Sequence, residues 1–318
     1  MTILQVGAAK SGNFWLYRIT QAILKAGGRE QTSFIQDHPI FPLAQTWPLS
    51  NEDQAGLDFI DIIPAGCFFR ISSIFRYPID DLQTYLHKAS LVRSHSRISS
   101  RTKDYFGEFD RIVYIIRDPR DVAVSFSRFA FTPYYQRFYP HSTQDSDEYL
   151  RRNFERRLWG WSHHVIGYLQ HRDVLPIHFT FFEGLKLDFQ NEVTRLAAFL
   201  DVELSTSQIE QIRELTSVES MQASNPDHVR KGTAGGWAET LSDAMKRRAR
   251  FSTAPILRYL GYPSAEAAVN PFSSSLPRIP STVNSAHLNR MLQLCRMRIA
   301  LSALLSGNFN LASMLSSL

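Results

Sequence analysis

Apolar and polar positions near the N-terminus fall into two registers. Ile3-Leu4-Gln5-Val6 is a short apolar run that breaks into Gly7-Ala8-Ala9-Lys10-Ser11-Gly12. From Asn13 to Ala26 the residues Phe14, Ile19, Ile23 and Ala26 then recur at helical spacing. This pattern predicts a strand, a small-residue turn and a helix. Gln31 to Pro64 shows little periodicity and reads as a long, loop-rich excursion suited to substrate contacts.

Beyond it, Ala65–Arg70 predicts a short strand, Asp80–Lys88 a short helix and Ser90–His95 a strand with a polar tip. Arg111-Ile112-Val113-Tyr114-Ile115-Ile116-Arg117 is a near-continuous β-branched run, the mark of a central parallel strand buried on both faces. Helices are predicted over Val122–Phe131, Asp147–His171, Asp188–Leu200 and Ser205–Leu215, with Ser205 as a cap. Tyr134–His141 reads as aromatic and irregular. Val174–Phe182 reads as a strand whose Pro176 suggests an entry or edge position. Strands alternating with helices predict an α/β fold, a single domain with a central parallel sheet flanked by helices. The expected organisation is one domain over 1–263, a Pro/Ser-rich linker over 264–285 and a C-terminal helical extension over 286–318. The amphipathic stretch Ala286–Leu305 in that extension is expected to be a packing or dimerisation helix.

Charge narrows the partners. The 318 residues carry a formal net charge of +5, which favours an anionic partner. No lysine-rich block or RNA-binding motif accompanies it, so a small polyanionic cofactor is preferred over nucleic acid. Cys67 and Cys295 are too few for a disulfide framework and too isolated for a zinc site, as expected of a reducing compartment. The chain opens directly on the first strand, and neither a signal peptide nor a membrane anchor is expected.

The first turn is the first candidate site. A strand that breaks through Gly and Ser into a helix presents backbone N–H groups suited to a phosphate, and Lys10 stands inside the turn. Gly7 and Gly12 have the spacing of the triphosphate loop G-x-x-x-x-G-K-[ST], but Asn13-Phe14 occupy its last two positions. The hydroxyl that would hold Mg²⁺ is missing, which disfavours a P-loop kinase and any metal requirement. Two more stretches suit phosphate. Arg117, at a strand's C-terminal end, is followed by Ser125 in the next helix, and Arg230-Lys231-Gly232 opens a glycine-containing basic loop. His95, at a strand end beside Arg93, is a candidate general base.

Together these stretches resemble the sulfotransferases that use 3′-phosphoadenosine 5′-phosphosulfate (PAPS). Ala9-Lys10-Ser11-Gly12-Asn13-Phe14-Trp15 is similar to that family's P-K-S-G-T-T-W phosphosulfate loop, and Ile115 to Ser125 to its 3′-phosphate motif. Phe182-Glu183 with Phe199-Leu200 resembles Y-E-D-L…F-L, and Thr216 to Met221 resembles T-S-F-x-x-M. Arg230-Lys231-Gly232…Gly235-Gly236-Trp237 resembles R-K-G-x-x-G-D-W, and Arg93-Ser94-His95 falls where the family has K-T-H.

The resemblance implies a P-loop-like phosphosulfate-binding loop and roles residue by residue. Lys10 and the backbone of Ser11, Gly12, Asn13 and Phe14 would hold the phosphosulfate. Arg117, Ser125, Arg230 and Gly232, with Lys231 beside them, would bind the 3′-phosphate. Trp15 would stack on adenine near Phe182, Thr216 and Val218. His95 would be the catalytic base, with Lys10 and Arg93 as its catalytic partners. The chain departs from the pattern at Asn13, Phe14, Phe182, Val218, Arg93 and Gly236. The family's dimer pattern is not recoverable around Thr240 to Arg248, which leaves a homo-oligomer open.

The implied function is transfer of a sulfuryl group to a hydroxyl of a small molecule, in the cytoplasm, as in natural-product sulfation. The alternatives are a catalytically impaired nucleotide-binding regulator on the same fold, or a P-loop kinase. The aromatic run Phe126–Tyr139 and the Gln31–Pro64 excursion are expected to line the acceptor pocket. An apolar or ring-bearing acceptor fits, and Asp37, Asp53, Asp58 and Asp61 would also allow a cationic one.

Overall fold

A computed structural model describes residues 1–50, 52–224, 232–262, 276–280 and 284–306. They fall into two compact units, Met1–Ile116 with His171–Gly232, and Arg117–Gln170 with Thr233–Leu318. The domain expected over 1–263 contributes to both, and most of the expected linker lies outside the described residues.

The first unit is built on a four-stranded parallel sheet. Its strands are β1 (Ile3–Gly7), β5 (Leu91–Ser94), β6 (Arg111–Ile116) and β7 (Ile177–Phe181), in the order β5-β1-β6-β7. Ile112 to Ile116 of β6 are all 0% exposed. Removing each large apolar side chain from water contributes about 1.5–3 kcal/mol, which is why this run could only be an interior strand. β7 lies at the sheet edge, and Pro176 precedes it with its carbonyl accepting from Ile112 N–H at 2.9 Å. Helices Asn13–Ala26 and Phe189–Phe199 pack against the sheet. Helix Thr206–Leu215 starts with a full capping box between Ser205 and Gln208.

The excursion after the first helix is more ordered than its sequence implies. It holds short helices Phe34–Asp37 and Phe41–Ala44, then β2 (Ile60–Ile63), which joins β3 (Gly66–Ile71) and β4 (Phe75–Pro78) in an antiparallel sheet. β2 and β4 have four residues each, too short for an alternation to stand out against their surroundings.

The second unit is helical in its described residues, with Pro119–Phe129, Pro133–Phe138, Ser146–Gln170, Trp237–Thr240, Asp243–Tyr259 and Ser285–Ser306. The stretch expected to be irregular after Phe131 is thus partly a helix, started by Thr132, whose hydroxyl accepts from Tyr135 N–H. Phe154, Leu158, Trp159, Trp237, Ala249 and Ile299 share one core. The C-terminal helix buries Leu288, Met291, Cys295, Ile299 and Ala303 and packs on helices Ser146–Gln170 and Asp243–Tyr259. Within this chain it is a packing helix.

Candidate active site

Parallel register brings the C-terminal ends of β1 and β5 side by side, with Val6 opposite Ser94. β1 leads to β5 on one side while β6 lies on the other, the strand-order reversal at which open α/β sheets bind ligands. The loop after β1 therefore faces the residue after β5, and its geometry is specialised. Lys10 has φ +70° and Gly12 φ +99°, both left-handed. Such a sequence turns successive N–H groups toward one point and forms an anion-binding concavity. Gly12 is the N-cap of helix Asn13–Ala26 and, having no side chain, supplies no capping hydrogen bond to that first turn. Only glycine fits there, because an added Cβ would stand 2.7 Å from the Phe182 ring.

Asn13 is explained by what it holds. Its amide nitrogen donates to the Ala8 carbonyl at 2.8 Å, and its amide oxygen meets the Gln5 amide at 3.1 Å. The side chain is buried and spent inside the loop, so its backbone N–H is what it offers an anion. Ser11 is fully buried, and among the described residues its hydroxyl has no hydrogen-bond partner. Left-handed residues in the loop, a helix N-terminus capped by a glycine and a buried hydroxyl are features that suit an anion.

His95 stands directly after β5. Its Nδ1 lies 2.8 Å from the carbonyl of Gly7, the last residue of β1, and its ring meets Phe59 at 5.4 Å. A carbonyl can only accept, so Nδ1 carries the proton, and in the neutral ring the lone pair is then on Nε2, the tautomer a general base requires. Two residues earlier, Arg93 is buried among Phe14, Tyr17 and Phe59, its guanidinium 5.8, 5.5 and 5.9 Å from the three ring centres. Burial lowers its pKa to about 10. Tyr17 and Phe59 are neighbours that no motif announced.

The expected adenine residues form one aromatic corner. Trp15 meets Phe182 edge to face at 5.4 Å and Phe189 at 6.4 Å, and its indole N–H donates to the Thr216 carbonyl at 2.8 Å. The Thr216 hydroxyl is engaged by Ile212 O at 2.7 Å, so its backbone is what positions Trp15. Lys186 Nζ sits 5.6 Å from the indole, a cation with no signal in the sequence beyond its helical position. Val218 opens the half-turn after it, at the start of helix Val218–Ser224, and is half-buried.

In the second unit, Arg117 is the residue that follows β6 in the chain. Its carbonyl accepts from Trp161 Nε1 at 2.9 Å and its guanidinium donates to Thr233 O at 3.0 Å. Ser125 is half-buried on helix Pro119–Phe129. Asp121, from the same motif, accepts from Gly235 N–H at 2.7 Å and Trp237 N–H at 2.9 Å, and thereby anchors the segment after Gly232. Burial pushes its carboxyl up to about 6. Arg120 pairs with Asp118 at 2.5 Å and covers the Trp237 ring at 3.7 Å. The D-P-R-D run was the available signal for this scaffold. Gly232 has φ +53°, while Arg230 and Lys231 lie outside the described residues. The aromatic run Phe126–Tyr139 gathers around Tyr149, where Arg157 covers Phe126 at 3.3 Å and donates to the Tyr149 hydroxyl at 2.6 Å.

Among the described residues no group of three or more His, Cys, Asp or Glu could hold a metal ion, and no helix is long and apolar enough to cross a membrane.

The chain is similar to known proteins. Sulfotransferase 1B1 of the dog (Canis lupus familiaris) is 27% identical over 177 residues, which cover 50% of this chain and 58% of that protein. Amine sulfotransferase of the rabbit (Oryctolagus cuniculus) is 22% identical over 215 residues, 67% of this chain and 60% of that one. The chain thus spans less than two thirds of these relatives' length. Among solved structures, mouse sulfotransferase SULT7A1 complexed with PAP superposes with a TM-score of 0.51 at 19% identity, covering 78% of this chain and 81% of that chain. Retinol dehydratase in a complex with retinol and PAP gives 0.56 at 18% identity, over 88% and 83%. A family profile described as the Sulfotransferase domain matches residues 2–254, and with the loop, strand order and histidine above, the chain belongs to the sulfotransferase family.

Proposed function

We propose that this protein transfers a sulfuryl group from PAPS to a hydroxyl of a small-molecule acceptor. The observation that carries the reading is the His95 Nδ1–Gly7 carbonyl contact, which sets a base of defined tautomer beside the left-handed Lys10–Gly12 loop. PAPS, when bound, supplies an activated sulfuryl group on a phosphate leaving group. The chain's residues supply the rest. Lys10 and the N–H groups of Ser11 to Phe14 hold the charged end in fixed dipoles, which cost no reorganisation during reaction. His95 Nε2 takes the acceptor hydroxyl's proton, and the Gly7 carbonyl stabilises the imidazolium that forms. Trp15, framed by Phe182 and held by Thr216, with Val218 near, serves the base. Arg117, Ser125, Arg230, Lys231 and Gly232 take the 3′-phosphate by their match to the family motifs. Both cysteines are free and buried, in keeping with action in the reducing cytoplasm.

The test combines binding with turnover. Wild-type protein is expected to bind adenosine 3′,5′-bisphosphate (PAP) by calorimetry and to transfer labelled sulfate to some member of a broad acceptor panel. His95→Ala should lose turnover by about 10²–10⁴-fold while keeping PAP affinity. Neither binding nor transfer by the wild type would sink the proposal.

A further inference from the structure

Arg93 is a buried cation without a counter-charge. Only 7% of its surface is exposed, its Nε has no hydrogen-bond partner, and it makes no side-chain hydrogen bond or ion pair among the described residues. Two acids of the excursion are already committed. Asp58 offers its backbone carbonyl to Arg93 N–H at 2.8 Å, while its carboxyl accepts from Ile35 N–H at 2.9 Å. Asp61 is held by Arg70 at 3.0 Å and Arg76 at 3.3 Å. Tyr17 keeps its proton, since burial raises its pKa to about 12. Arg70 adds a second positive charge, 3.7 Å from the Phe59 ring that Arg93 also approaches.

Three aromatic faces attract a guanidinium but accept none of its five directed hydrogen bonds. An isolated buried charge is costly, and its planar fork matches a carboxylate with two parallel bonds. Phe59 is the shared wall, since its ring touches both Arg93 and His95. Phe59 precedes β2 and Arg70 lies on β3, so this wall belongs to the excursion and its antiparallel sheet rather than to the phosphate loop.

We propose that Arg93 recognises the acceptor, and that the acceptor is a hydroxy acid whose carboxylate pairs with Arg93 while its hydroxyl faces His95. This inference rests on the sulfotransferase reading and narrows its substrate class. It also disfavours a cationic acceptor held by Asp58 or Asp61, two of the four aspartates of the excursion, because both are already engaged.

The experiment measures binding of a panel of aromatic and aliphatic hydroxy acids and their primary amides, with and without saturating PAP. In the wild type at least one acid should bind about tenfold or more tightly than its amide, as expected for a charge-assisted pair. Arg93→Gln should bring acid and amide to within about twofold while leaving PAP affinity unchanged, and Arg93→Lys should retain part of the preference. Arg93→Met should raise the melting temperature, because it removes an unpaired buried charge. A panel with no acid preference overturns the inference, as does a preference that survives Arg93→Gln. Loss of PAP affinity in Arg93→Gln would assign the arginine to the donor instead, and a lowered melting temperature in Arg93→Met would make it structural. Failure of the wild type to bind PAP, with the acid preference intact, would strike the donor assignment and not Arg93.

Discussion

At the scale of single residues, this site is decided by burial and by which polar atoms remain unspent. Asn13 departs from the family's loop in the sequence, and in the structure it is a staple across its own loop. Its neighbour Phe14 lies under Arg93 instead of carrying a hydroxyl. No spacing rule could reveal either, because both depend on contacts made after the chain turns back. Asp58 is a second case, 3% exposed, with burial raising its pKa from 3.8 to about 7. The folded state holds that proton more tightly than the unfolded chain. Stability from this group should therefore fall as pH rises from about 4 to about 7 and level off above. Asp58→Asn keeps an acceptor for Ile35 N–H, and its urea midpoint should change less between pH 5 and pH 8 than the wild type's. An equal or steeper dependence in the variant would contradict this origin.

Elements carried most of what the sequence could say. The β-branched run of β6, the helix at Asn13–Ala26 and the Ser205 cap were legible because period and capping are local properties. β2 and β4 were not, since a four-residue strand exists only through its partner. The strand-to-helix turn depends on backbone conformation at Gly12 more than on any side chain. Gly12→Ala should cost about 1–3 kcal/mol for the left-handed φ alone, with the clash on Phe182 added. Its urea denaturation should show that loss, and PAP affinity should fall with it as the N–H groups turn away. Relieving the clash with Phe182→Leu should not restore either, because φ stays positive. Full rescue would mean that sterics, not backbone conformation, required the glycine.

At the scale of the whole molecule, each unit has its own interior. The first is organised by its parallel sheet, and the second by three long helices that include Ser285–Ser306. The sequence left that last helix between packing and dimerisation. Burial of Leu288, Met291, Cys295, Ile299 and Ala303 at three- and four-residue steps makes it part of the second core. Ile299→Ala should therefore cost about 2–5 kcal/mol in chemical denaturation. Leu305→Ala, at a position 80% exposed, should change stability by no more than about 0.5 kcal/mol. Equal effects at the two positions would remove the helix from the core.

By itself the sequence determined the α/β class, the chain order of the family's motif stretches and the family. Those depend on local period and on residue types at fixed spacing, which survive without coordinates. Tertiary structure alone decided which of the singled-out groups are spent and which are not. Gly7 and His95 are 88 positions apart, yet the carbonyl of one sets the tautomer of the other. Arg93 reads as a plain cation beside a histidine until three rings close around it. Desolvation and hydrogen-bond saturation are properties of the neighbours that folding brings together, and no segment of the chain holds them in advance.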